Sequence, residues 1–288
     1  MASNSMQDIK RRIKSVTSTE HITSAMKLVS AAKLKRAKST FEKTTEYFHY
    51  ITESIQDIFN NASEIPEHYL LGSREIKKTC YIIITSSRGL CGGFNANVIK
   101  KAARNLENDP ERPVIVAVGT KGKEYFERRG YEIYSEYSAP PESISFLESH
   151  EISKPIIEMY NDGTIDEVVM VYTSFKNAME QEVKYERLLP FEASFDPEVI
   201  KHEMEVEYEP SIEAVFNYLV PKYVEIKVFG AVVESATCEH AARRMAMENA
   251  TDNAREMLDN LSLYYNRARQ AVITDEIIEV VAGAEAQK

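Results

Sequence analysis

Between Ile22 and Ile58 apolar side chains recur at steps of three and four: Ile22, Met26, Val29, Ala37, Phe41, Phe48, Ile51, Ile55 and Ile58. The gaps at 33 and 44 are each one missed turn of the same stripe. This spacing predicts a single helix from about residue 6 to about residue 59, opened by a Ser5/Asp8 capping box and closed by Asn60-Asn61 ahead of Pro66. A second stripe, Met247, Ala250, Ala254, Met257, Leu261, Tyr264, Ala268 and Ala271, steps three and four in strict alternation, a heptad seam. Upstream, Ile212, Val215, Leu219, Tyr223, Ile226, Phe229, Val233 and Ala236 carry it back to the candidate cap Ser211, with Pro221 predicted to kink or restart the helix.

Glycine and proline punctuate this pattern unevenly. None occurs in the first 65 residues, eight of the ten glycines lie between Gly72 and Gly163, and no proline follows Pro221. Because an interior proline costs a helix about 3 kcal/mol and a glycine about 1, the layout predicts a rod, a globule and a second rod. The ranges are residues 1–60, 61–210 and 211–288. Two such seams, reversed in direction by the globule, are expected to pair as a long antiparallel coiled coil. The second helix exceeds the first by about 18 residues, or about 27 Å at 1.5 Å per residue. In that surplus Val272, Ile273, Ile277, Ile278, Val280 and Val281 cover more than one face, so the tip needs an enclosing surface from another molecule.

In the middle segment, runs at Cys80 to Thr85, Pro113 to Val118 and Glu167 to Thr173 read as buried strands, and Glu182 to Leu188 as an edge strand. Helical stretches near Ala96 to Leu106, Lys121 to Arg129 and Ile144 to Tyr160 fall between them. The fold class is therefore α/β: a central doubly wound, Rossmann-like layer carried on a terminal coiled coil.

Charge refines this picture. The net charge is −10, which argues against general nucleic-acid binding, yet the stretch from Ile9 to Lys43 holds ten basic residues against two acids. An acidic run, Glu192, Asp196, Glu198, Glu203, Glu205, Glu207, Glu209 and Glu213, reads as a solvated connector. No window is apolar enough for a membrane span, and the amino terminus lacks a signal-peptide core, which favours a bacterial cytosolic setting. Three cysteines, Cys80, Cys91 and Cys238, form no CxxC pair and predict neither a disulfide framework nor a zinc cluster.

Candidate chemistry is thin. The turn from Ser86 to Asn95 is a glycine-rich strand-to-helix connection of the kind that can cradle phosphate, but it is not GxGxxG and no lysine follows its glycines. Gly119-Thr120-Lys121-Gly122-Lys123 places Glu124 where a P-loop has Ser or Thr for magnesium. Both turns read first as packing glycines, with nucleotide binding as the competing reading. The six histidines show no HExxH and no metal spacing, the serines no GxSxG elbow. Cys91, at a helix start, is the one thiol placed for a lowered pKa. No catalytic, cofactor or metal residue is assigned.

Three stretches carry a resemblance. They are Ile9-Lys10-Arg11-Arg12-Ile13 with the run Ile22 to Leu34, then Ser87-Arg88-Gly89-Leu90-Cys91-Gly92-Gly93-Phe94-Asn95, and finally Asn249 to Ala254 with Tyr265 to Thr274. In order and over nearly the whole length, they resemble the gamma subunit of the F-type ATP synthase. The resemblance implies a non-catalytic central rotor shaft, one copy per complex. It would turn inside a hexamer of alpha and beta subunits, with the epsilon subunit and the membrane c-ring as further partners. That places it on the cytoplasmic face of a bacterial cell membrane without direct insertion, coupling ion flow to ATP synthesis or hydrolysis. It further implies that Met26, Lys27 and Lys33 face an acidic lever of the beta subunits. Arg269, Gln270 and Thr274 would form a polar catch, Ile277, Ile278 and Val281 an apolar bearing, and Tyr208 and Glu209 a foot on the c-ring. Phe94 stands where the family more often has Leu, and the redox-cysteine insertion of the chloroplast type is absent, so thiol regulation is not expected. Two readings of other classes remain beside it: a nucleotide-binding α/β enzyme with coiled-coil arms, and a coiled-coil nucleic-acid binder.

Overall fold

A computed structural model of the chain describes residues 2–61, 66–72, 75–107, 109, 112–177, 179–191 and 209–285. Its packing divides into two compact units, one made of Met1–Ala31 with Arg243–Lys288, the other of Ala32–Ala242.

The larger unit is organised by strands whose apolar runs are buried on both faces. In chain order the elements are α1 (Ala2–Asn61), β1 (Thr79–Ile84), α2 (Phe94–Leu106), β2 (Val114–Val118), α3 (Thr120–Glu127), β3 (Ile133–Tyr137), α4 (Phe146–Asn161), β4 (Glu167–Phe175), β5 (Gln181–Leu189) and α5 (Ile212–Glu285). The sheet order is β3-β2-β1-β4-β5, parallel except for β5. Register places Ile82 beside both Val116 and Met170, and Ile83 beside Ala117 and Val171. Because side chains alternate across a strand, the first row faces α4 and α5 through Ile152, Ile156, Val224 and Val228. The opposite face carries Tyr81, Ile83, Ile115, Val169 and Val171 against Val98 and Ala102 of α2 and Phe126 of α3. This is the doubly wound α/β layer the sequence predicts. The strand it does not predict is β3: Ile-Tyr-Ser-Glu-Tyr alternates half-buried with exposed positions at a sheet edge, too short and too polar to read as a core run.

Helical boundaries differ from expectation in two places. Since α1 begins at Ala2, Ser5 lies within the helix and not at its expected start. Pro221 neither ends nor restarts α5, which is helical from Ile212 to Glu285. The buried neighbours Phe216, Val220, Tyr223 and Val224 offset the lost backbone bond. Ser211 does cap α5, its hydroxyl accepting the Ala214 N–H at 3.2 Å. Within this unit α1 and α5 run antiparallel, Phe48 meeting Phe229 edge-on at 5.7 Å.

In the smaller unit the two helices pair antiparallel through Thr251, whose hydroxyl donates to the Thr23 hydroxyl at 2.9 Å in a buried setting. Arg255 binds Glu20 at 3.1 Å and Lys27 approaches Glu248 at 3.8 Å, one pair on each side of Thr23 and both offset from its register by the same single residue. Continued outward, this register sets Ala2 level with Val272. Glu285 then lies 13 residues, about 20 Å, beyond the start of α1. The overhang is shorter than the 27 Å read from sequence because that figure counted the whole difference in helix length as overhang.

Candidate interaction surface

The seam of the smaller unit is not the one the apolar stripes predict. Ile22 and Val29 are 60% and 58% exposed, whereas Thr23 and Ser30 are 8% and 3% exposed. On α5, Met247 and Ala254 face inward as expected, but Met257 and Tyr264 are 53% and 57% exposed, and Thr251 is buried in place of Ala250. Leu258, Tyr265 and Val272 are the half-buried members where Met257, Tyr264 and Ala271 were expected. Every seventh residue is shared between a three-four and a four-three reading, so the two registers differ by one residue at alternate positions. Small hydroxyl side chains won the seam because they can pair with each other and let the backbones approach. The single Thr251 proton is shared between the Thr23 oxygen and the Met247 carbonyl, the latter at 2.7 Å, and Thr23 gives its own to the Glu20 carbonyl at 3.1 Å.

The consequence is an inversion of ordinary amphipathicity. Ile22, Leu28, Val29, Met257, Leu263 and Tyr264 point to solvent, and so do Ile273, Ile277, Ile278, Val280 and Val281 in the overhang. An isolated helical pair gains from burying its large apolar side chains. One that buries threonine and serine and shows isoleucine, leucine and tyrosine has its apolar surface set aside for another molecule. Sequence reasoning missed Leu28 and assigned Ile22 and Val29 to the wrong face. The available signal was the surplus of apolar positions over what one seam can hold.

Of the residues singled out from sequence, Arg269, Gln270, Thr274, Ile277, Ile278 and Val281 are all exposed on α5. The Thr274 hydroxyl donates back to the Gln270 carbonyl at 2.9 Å, leaving its oxygen free to accept. Met26 is half-buried, and Lys27 spends part of its charge on Glu248. Lys33 is half-buried. Glu209 is exposed, while Tyr208 lies outside the described residues, as do the side chains of Ile55 and Ile58 and the acidic positions from Glu192 to Glu207.

The competing nucleotide site is answered by geometry in the larger unit. In an open α/β sheet ligands enter at the switch point, here between the carboxyl ends of β1 and β4. That crevice is filled by the chain itself. Phe94 and Cys91, from the turn after β1, pack on Cys238 of α5, with Phe175 and Ala242 around them. Helix α5 is fastened there by polar contacts: Glu234 accepts from the Ser174 hydroxyl and the Phe175 N–H, each at 2.7 Å, and Ser235 exchanges bonds with the Thr173 backbone at 3.3 and 3.4 Å. Cys91 is buried, with the Asn95 amide 3.2 Å from its sulfur. Burial pushes the Cys80 thiol up to about 12, and raises Cys238 still further.

The glycines serve packing. At Gly119, with φ +86°, any Cβ would run into the Thr85 carbonyl, and at Gly122 it would lie 3.0 Å from the Thr85 hydroxyl. The Gly122 N–H donates to that hydroxyl at 2.8 Å and the Lys121 N–H to the Ser86 carbonyl at 3.1 Å, so neither amide is offered to a phosphate. Lys121 itself is paired with Glu124 at 2.8 Å. No helix among the described residues is long and apolar enough to cross a membrane.

Comparison with known proteins agrees with this geometry. The family model described as ATP synthase matches residues 5–287. The ATP synthase gamma chain of Alkaliphilus metalliredigens is 48% identical over 287 residues, covering 98% of this chain and 99% of the relative. Among solved structures, the central stalk and c-ring of the Tetrahymena thermophila mitochondrial ATP synthase aligns with a TM-score of 0.63 at 27% identity, over 80% of this chain and 99% of that one. A chain of the Euglena gracilis mitochondrial enzyme shares the fold with a TM-score of 0.73 at 19% identity, over 99% of this chain and 95% of that one. With its family matched from end to end and close bacterial relatives of the same length, the chain belongs to the ATP synthase gamma-chain family.

Proposed function

We propose that this chain is the central stalk of a bacterial F-type ATP synthase, turning within a ring of alternating alpha and beta subunits and carrying the rotation of a membrane c-ring to the catalytic beta subunits. The observation that carries the reading is the inverted seam: Thr23, Ser30 and Thr251 are buried while Ile22, Leu28, Val29, Met257 and Tyr264 are exposed. Such a pair is stable in company, inside a surrounding surface. The overhanging end of α5, with Ile277, Ile278 and Val281 exposed, suits an apolar bearing that offers no directional bond and so resists no angle of rotation.

The mechanism follows from linkage. A partner shifts a conformational equilibrium only through contacts that differ between the two states. A shaft without rotational symmetry presents a different face to each beta subunit, so identical sites hold different nucleotide affinities, and turning the shaft exchanges them. Met26, Lys27, Lys33 and the other cations of α1 would work against an acidic lever on the beta subunits, since long-ranged attraction tolerates sliding where interdigitated packing forbids it. Arg269, Gln270 and Thr274 would catch one beta subunit by hydrogen bonds, and Tyr208 and Glu209 would rest on the c-ring, with the epsilon subunit bound beside them. On this reading the chain has no catalysis of its own, binds no nucleotide, and lies at the membrane's cytoplasmic face without entering it.

Co-purification of this chain with tagged beta subunits tests the assignment, followed by ATPase measurement on the isolated chain, which is expected to be inactive. In the assembled enzyme, Lys27→Gln with Lys33→Gln and Arg36→Gln should lower the rotation obtained per ATP hydrolysed. Unchanged coupling and assembly would remove the electrostatic lever from the account.

A further inference from the structure

On the sheet face opposite α5, helices α2 and α3 lie side by side and leave a groove of about 810 Å³ between them. It follows α2 from Asn95 to Glu107, about 18 Å at 1.5 Å per residue, the length of three helical turns. Its walls carry five cations, Lys100 and Arg104 from α2 and Lys121, Arg128 and Arg129 from α3 and the residues just after it, against two carboxylates, Glu107 and Glu124. Glu124 is shared by Lys121 at 2.8 Å and Arg128 at 3.5 Å, so a single carboxylate answers two of the cations. Among the described residues that line it the balance is thus +3, in a chain whose net charge is −10. Between the charged rows lie small and apolar groups, exposed Ala96, half-buried Ala103 and buried Ile99, with the Arg129 guanidinium 4.1 Å over the Tyr125 ring.

We propose that this groove seats an acidic amphipathic helix of a partner polypeptide. This rests on the reading of the chain as one subunit of a larger assembly. The shape fits a helix: two ridges flank a trough whose alanines permit close approach, and the flanking cations would meet carboxylates on both sides of a narrow apolar stripe. Free phosphate or a nucleotide fits less well, because the neighbouring turn amides of Lys121 and Gly122 are already bound internally.

The test uses the assembled enzyme with Ala96→benzoylphenylalanine, irradiated and digested for mass spectrometry. The expected product joins Ala96 to a segment rich in Asp and Glu with apolar residues three and four apart. Raising salt from about 0.1 M to about 1 M, which shortens the screening length from about 10 Å to about 3 Å, should cut its yield severalfold. Lys100→Glu with Arg128→Glu should do the same, and the milder Lys100→Gln with Arg128→Gln serves if the first variant fails to assemble. A neutral or basic segment, a lipid adduct, no polypeptide adduct, or a yield indifferent to salt and charge would overturn the proposal. Co-purification with the beta subunits is scored first: its failure sinks the central-stalk reading, whereas failed cross-linking in an enzyme that has assembled sinks only the groove.

Discussion

Replacing Thr23 and Thr251 together by cysteine probes the seam at its most informative point. Their hydroxyl oxygens lie 2.9 Å apart in the buried interface, so two sulfurs in their place are within bonding reach after a small rotamer adjustment. The bridge would close a loop spanning 228 residues. In the chain-entropy model a loop of that length is worth about 5 kcal/mol, reduced by any strain. The expected outcome is a rapidly oxidised species of altered mobility on a non-reducing gel, whose urea midpoint falls back on reduction. The three native cysteines are buried and form no disulfide, which keeps the background low. Because both ends of the bridge belong to one chain, ATP-driven rotation in the assembled enzyme should survive oxidation. The control pair Ile22→Cys with Ala250→Cys occupies the register that the apolar stripes suggest and should oxidise slowly. Faster closure of that pair, or no bridge at 23 and 251, would refute the seam described here.

Gly119→Ala should destabilise the larger unit by about 2–6 kcal/mol, combining about 1–3 for a backbone region open only to glycine with a similar penalty for overpacking against Thr85. Urea denaturation should show a lowered midpoint at unchanged slope. Burial raises the Asp109 carboxyl above its ordinary range, although hydrogen bonds from Tyr81 and Thr79 pull the other way. Between the unfolded and the folded value the folded chain holds a proton that the unfolded chain has released. Stability should fall as pH climbs from the ordinary aspartate value, about 3.9, through the raised one. Asp109→Asn should flatten that part of the pH profile of the denaturation midpoint; an unchanged slope would remove the assignment. Ile277→Ser with Ile278→Ser leaves the isolated chain's stability within about 0.5 kcal/mol, as both side chains are exposed. In the assembled enzyme it should lower coupled turnover or thermal stability of the complex.

The layer of strands and helices was legible because its signals are local. Ile82 to Ile84, Ile115 to Val118 and Val168 to Val171 are continuous apolar runs that only a two-sided core accepts. Strand β3 was not legible, since Tyr134 and Glu136 face out along a short edge. The seam was half legible. Met247, Ala254, Leu261 and Ala268 belong to either register, and only the pairing of Thr23 with Thr251 chooses between them, an interaction across 228 residues that no local window contains. Pro221 was legible as a break that tertiary burial overrides. The external surface was legible only as a surplus of apolar positions. Resemblance supplied the proposed identities of its partners, because exposure and charge tell which chemistry would cover a surface and not what would bring it.

The central claim is that this chain turns as a body while the beta subunits do the chemistry. The direct measurement attaches a gold nanorod to the assembled, surface-immobilised enzyme through Met179→Cys, at a hairpin position that is 87% exposed. ATP should drive rotation in one direction, pausing once per beta subunit in each revolution. Sustained ATP hydrolysis with the nanorod stationary would contradict the account.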